Sequence, residues 1–76
     1  MPATVHPTLQ ARLSLDVRLT RLREQRIKRS LSQQELADRS GLSRTTIIKL
    51  EAGRPAWPQT ARRLARALHI KVTELY

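Results

Sequence analysis

The sequence predicts a small all-α domain, and three observations carry that expectation. Residues 31–53 read LSQQELADRSGLSRTTIIKLEAG, in which two serines each open a short run that a glycine closes. Ala61, Leu64, Ala65 and Leu68 recur at the i, i+3, i+4, i+7 spacing of a helix buried along one face. With 76 residues there is one domain, whose interior is too small to hold a catalytic cleft beside its structural core.

Taken in order, residues 1–8 hold two prolines and little apolar mass, which suits a loose arm. From Ala11 to Leu19 the apolar Ala11, Leu13, Leu15, Val17 and Leu19 alternate with Arg12, Ser14, Asp16 and Arg18, the period of a half-buried strand. Leu15, Leu19 and Leu22 also fit a helical face, which Ser14 or Asp16 could cap. A lone strand on a helical domain would pair with another copy or lie as an arm on a neighbour. Three readings stay open: a two-chain ribbon or exchanged arm, an extra helical turn, and disorder. Residues 1–16 are therefore set apart as an extension, and residues 17–76 as the domain.

A first helix is expected from near Val17 to about Arg29, with Leu19, Leu22 and Ile27 inward. Ser32 caps the second, and Glu35 three positions on completes a capping box in which each side chain satisfies an orphan amide. Leu36 and Ala37 form its small apolar face, and Gly41 supplies the positive φ needed to stop and turn. Ser43 caps the third helix, Ile47 and Leu50 turn inward, and Gly53 closes it. Helices this short are unstable alone, so packing must hold both. Trp57 precedes a proline and should be extended, with Pro58 starting the fourth helix. Arg62, Arg63 and Arg66 lie off that helix's apolar face, as a solvated or DNA-flanking set. Ile70 and Val72 continue the core after a turn at His69, and a fifth helix begins at Thr73.

Lys and Arg number 15 against six acids, a net charge of +9, and twelve of the fifteen are arginine. Arginine suits planar, bidentate contacts to phosphate and guanine. So basic a small domain fits a polyanionic partner. The absence of cysteine removes disulfides and thiolate zinc sites and is compatible with a reducing cytosol. No apolar run approaches the ~20 residues of a membrane span, and residues 1–10 lack the order of a signal peptide.

SQQELA at 32–37, Gly41, Ser43, Ile47, Leu50 and Glu51 together resemble the helix-turn-helix of phage repressors of the lambda and 434 type (the XRE family). The resemblance runs over about residues 17–76 and implies a five-helix domain that reads double-stranded DNA. It implies a buried ion pair between Arg26 and Glu51, fixing helix 1 against helix 3. Base readout falls to Arg44, Thr45 and Lys49 on the outer face of helix 3, with Ile48 on its flank. A helix fits the major groove, and the N-terminal residues of a recognition helix meet base edges first. Arg44 would contact guanine O6 and N7, Thr45 a thymine methyl or a hydrogen-bond acceptor, and Lys49 guanine or phosphate. Ile48 would cover thymine methyls or pack against the extension. Gln33, Ser43, Thr46 and Arg54 would hold the DNA backbone, with Gln33 also bracing Arg44. Pairing of subunits would involve Trp57, Val72, Leu75 and Tyr76, together with Leu13 and Leu15 from the extension.

The function this implies is a sequence-specific transcriptional regulator: a homodimeric repressor on an inverted-repeat operator, its own promoter included. It would be cytoplasmic, nucleoid-associated when bound, without catalytic residues, metal or cofactor. Regulation by a ligand-sensing or self-cleaving domain within this chain is not expected. Two alternatives stand beside it. One is an antitoxin that represses its own operon and binds a toxin. The other is a coactivator-type module that touches RNA polymerase through Glu35 and Asp38. The sequence names neither operator nor regulated gene, nor the sign of regulation.

Overall fold

The computed structural model describes residues 18–76. They form four α-helices, α1 (Leu22–Lys28), α2 (Gln33–Ser40), α3 (Arg44–Glu51) and α4 (Pro58–Leu68), followed by a single 3-10 turn, Val72–Leu75. The expected fifth helix is thus a 3-10 turn. The extension, with Leu13 and Leu15 and its strand or arm readings, lies outside the described residues. So does the boundary between residues 16 and 17.

Helix 1 starts later than expected. Arg18 forms an isolated antiparallel bridge with Pro55, and Leu19 enters the core ahead of a turn that leads into α1. The Leu22 amide bonds back to the Leu19 carbonyl at 3.0 Å, and the Arg21 amide reaches the Leu75 carbonyl at 3.0 Å. The first described residues are in this way tied to both the α3–α4 loop and the 3-10 turn.

Every helix ends alike. The amide of the second or third residue past the helix bonds back over five residues to a carbonyl of its last turn: Leu31 to Arg26, Leu42 to Ala37, Arg54 to Lys49 and Ile70 to Ala65. This geometry needs a positive φ at the residue before, and Ser30, Gly41, Gly53 and His69 supply it. At Gly41, with φ +75°, a side chain would be strained whatever the space around it. Ser30 and His69 adopt the same region despite carrying a Cβ.

Leu22, Leu36, Ile47, Leu64, Leu68 and Leu75 are the large side chains fully closed to solvent, and each of the five elements contributes at least one. Each such burial stabilises by roughly 1.5–3 kcal/mol, so no element is dispensable. α2 packs against both α3 and α4, and α4 against the 3-10 turn. Leu31 and Ala56, both in connecting loops, complete the core. Ile27 does not join it and is 53% exposed. With Leu22 inward, a residue five positions on lies about 140° away around the helix.

Gln25 takes a buried place on α1. Its Nε2 donates to the Glu74 carbonyl at 3.4 Å, and its Oε1 accepts from Arg29 Nη1 at 2.9 Å. The amide therefore links α1 to the 3-10 turn with both of its polar atoms bonded, where an aliphatic side chain would only fill space.

Candidate nucleic-acid interface

The candidate interface is built on α3. Ser43 Oγ accepts from the Thr46 amide at 3.1 Å and pairs with Thr46 Oγ1 at 2.8 Å. Ile47 and Leu50 are buried, and Thr46 and Glu51 are half-buried. Arg44, Thr45, Ile48, Lys49 and Ala52 are all exposed. They occupy adjoining positions on a wheel of 100° per residue, a stripe along the solvent side of the helix. At one end of the stripe, Arg44 projects from the first turn, where the positive end of the helix dipole and the free amides favour an anion. No acidic residue stands in that first turn. Arg54 is exposed just past the helix, beside the bridge between Arg18 and Pro55.

The orientation of α3 is set at its far end. Arg26 Nε donates to Glu51 Oε2 at 2.6 Å and Nη2 donates to Oε1 at 3.1 Å. Its remaining Nη1 donates to the Leu31 carbonyl at 2.7 Å. Gln33 Nε2 adds a donor to Glu51 Oε1 at 3.1 Å. The side chains of Arg26 and Glu51 are only 12% and 6% exposed. The hydrogen bond to Glu51 raises the Arg26 pKa, against the opposing effect of burial and with a smaller electrostatic contribution from the same carboxylate. Three elements thus meet at one carboxylate: α1 through Arg26, the start of α2 through Gln33, and α3 through Glu51 itself.

Gln33 differs here from the expected picture. Its Nε2 engages Glu51 rather than Arg44, so it supports α3 from beneath instead of bracing the leading arginine. The part played by the Leu31 carbonyl was not legible in the sequence, because a backbone acceptor leaves no residue-type signal. Among the expected partner-facing residues, Trp57 and Tyr76 are exposed, at 56% and 42%. Val72 is half-buried against the core. Leu75 is fully buried and must be removed from that set: its side chain already has the domain's own core as its partner.

Among the described residues no group of three or more His, Asp or Glu side chains comes together. No helix among them is long and apolar enough to cross a membrane.

Comparison with known proteins agrees with the geometry. The sequence profile of a helix-turn-helix family matches residues 22–75. A relative from Methanothermobacter thermautotrophicus, named an uncharacterized HTH-type transcriptional regulator, is 51% identical over 51 residues, which is 64% of this chain and 72% of that protein. No solved structure matches the chain. The match begins at Leu22, where α1 begins, and ends at Leu75, the last fully buried side chain. The chain belongs to this helix-turn-helix family, XRE-type DNA-binding transcriptional regulators rather than enzymes.

Proposed function

We propose that this chain is a sequence-specific, homodimeric repressor that lays α3 in the major groove of an inverted-repeat operator. The observation that carries the reading is the exposed stripe of Arg44, Thr45, Ile48 and Lys49 on a helix whose other side is buried. Arg44 pairs with guanine O6 and N7, Thr45 and Ile48 meet thymine methyls, and Lys49 reaches guanine or phosphate. Ser43, Thr46 and Arg54 contact the backbone and hold register without reading sequence. Gln33 stands at the first turn of α2 and can offer its free amides to a phosphate while its side chain supports Glu51. The Arg26–Glu51 pair is structural, fixing the angle at which α3 leaves the domain.

Two subunits would set their recognition helices in successive major grooves ~34 Å apart. Of the residues expected at that pairing, Trp57 and Tyr76 are exposed and available for it. Repression follows from occupying promoter DNA, and the chain works in the cytoplasm on the nucleoid. The coactivator alternative loses part of its acidic handle, because Glu35 is engaged with Ser32 through the capping box.

Footprinting on the DNA upstream of the chain's own gene tests the reading. The wild-type protein should protect two half-sites one helical turn apart. The Arg44→Ala/Lys49→Ala double variant should lose about 2 kcal/mol or more of specific affinity, roughly thirtyfold. Unchanged selectivity in that variant would remove α3 as the reader. Protection of a single half-site would remove the dimer.

A further inference from the structure

An open-sided cleft of about 530 Å³ lies between the C-terminal ends of α2 and α4, lined by Arg39, Ser40, Arg63, Arg66, Ala67 and His69. None of these is an acid, and among the described residues none of the three arginines enters an ion pair. Glu35 stands one turn before Arg39, but its carboxylate is engaged with Ser32. Arg63 and Arg66 are neighbours of like charge at i, i+3, an arrangement that mildly destabilises a helix. Arg39 and Arg66 stand in the last turns of α2 and α4, where the negative helix end favours a cation, while Ala37 and Ala65 already accept from Leu42 and Ile70. Even with the Glu35 carboxylate acting on Arg39, three guanidinium groups leave the cleft lining net positive and open to an anion from outside the domain.

The shape and lining of the cleft narrow the choice of anion. Sites for small ligands enclose most of the ligand surface, and a cleft open along one side cannot. Protein partners gain affinity from buried aromatic or aliphatic anchors ringed by polar contacts, and Ala67 is the sole apolar lining residue. A phosphodiester backbone needs neither enclosure nor anchors, and the planar fork of arginine matches its paired oxygens. Position narrows it further. α2 packs against both α3 and α4, and the cleft opens between α2 and α4, with no residue of the exposed α3 stripe in its lining.

We propose that this cleft binds the sugar–phosphate backbone of a second DNA duplex, so that one protein joins two duplexes, the first through α3 and the second through Arg39, Arg63 and Arg66. The second contact carries no base readout and depends on salt, because it replaces condensed counterions only. The inference rests on the reading of α3 as a duplex binder, and its test separates the two.

The test uses two duplexes of about 30 base pairs, roughly three helical turns: one immobilised and carrying the footprinted upstream site, the other fluorescent and of mixed sequence. Wild-type protein held on the first should carry the second. The Arg39→Ala/Arg63→Ala/Arg66→Ala variant should stay on the immobilised duplex within about threefold of wild type but lose about tenfold of the bridged fluorescence. An Arg21→Ala/Arg23→Ala/Lys71→Ala variant removes equal charge from exposed positions outside both sites and should bridge within about twofold of wild type. Circular dichroism checks that both variants are folded. Bridging that survives the cleft substitutions would overturn the proposal, and would point to two recognition helices of a dimer. Equal loss in both variants would reduce it to net charge. Displacement of the fluorescent duplex by polyglutamate more readily than by unlabelled duplex of equal charge would assign the cleft to an acidic protein instead. Wild type that binds the immobilised duplex without carrying the second sinks this inference alone. Failure to bind the first would sink the α3 reading as well.

Discussion

α2 and α3 are of equal length, eight residues each, and each opens on a serine whose hydroxyl accepts an amide one turn on. They are used in opposite ways. α2 has Glu35 in its first turn, which returns a hydrogen bond to the Ser32 amide, and it buries Leu36, Ala37 and Ser40. It is held on two sides, by α3 and by α4. α3 buries only Ile47 and Leu50 and has no acid in its first turn. An acid there would steady the helix but would repel a phosphate brought to the same amides. α2 takes that stabilisation and α3 goes without it. Length and capping residue therefore do not distinguish the two helices; the face left unburied and the charge left off the first turn do.

The largest effect expected from this contrast lies where α3 is compensated from outside. Glu51→Ala leaves Arg26 with the Leu31 carbonyl as its remaining acceptor and frees Gln33. It should lower folding stability by about 3 kcal/mol, the lower end for breaking a buried pair, since Arg26 keeps an edge to solvent. Urea denaturation measures it. A loss below about 1 kcal/mol, the level of a surface pair, would mean that α3 is held by Ile47 and Leu50 alone.

Next comes a substitution that should touch binding and leave the fold intact. Arg44→Ala should keep the melting temperature while weakening operator binding by about 1–3 kcal/mol and relaxing selectivity at one base pair. A titration across operator variants separates that from uniform weakening, the signature of a phosphate contact.

The two caps provide a smaller and more direct comparison. Ser32→Ala and Ser43→Ala should each lower stability by about 1 kcal/mol, but Ser43→Ala should weaken duplex binding more, because on the proposed reading α3 enters the groove while α2 meets only backbone. Equal binding by the two would erase the distinction between the helices.

The smallest effect is in the acid range. The Ser32 amide and hydroxyl hold the Glu35 carboxyl below the ordinary carboxylate range. A folded-state pKa lowered in this way contributes stability that is complete above the unfolded value and fades as the pH drops through the folded one. α3 has no acid in its first turn to do the same. Glu35→Gln should therefore flatten part of the acid-side slope of stability against pH, read as urea midpoints. An unchanged slope would detach Glu35 from the cap.

The capping box, the inward Leu36, Ile47 and Leu50, and the buried stripe of α4 were legible because each rests on a residue type at a fixed spacing. The exposed face of α3 followed from the same periodicity by subtraction. What escaped was non-local. Ile27 looks like a core residue until the short span of α1 turns it outward. Leu75 looks like a surface for a partner until the 3-10 turn carries it into the core. Ser30 occupies a helix-ending conformation that composition assigns to glycine. The cleft at Arg39 joins side chains from two helices separated by the whole of α3, and no spacing along the chain connects them.

The placement of Leu75 bears on how the domain comes into being. Synthesis delivers Leu36 and Ile47 well before Leu64, Leu68 and Leu75, the side chains that complete their enclosure. Until the last of these has left the ribosome, the helix-turn-helix is a pair of marginal segments with bare aliphatic flanks, open to aggregation. The outer face of α3 therefore depends on side chains that the chain supplies last.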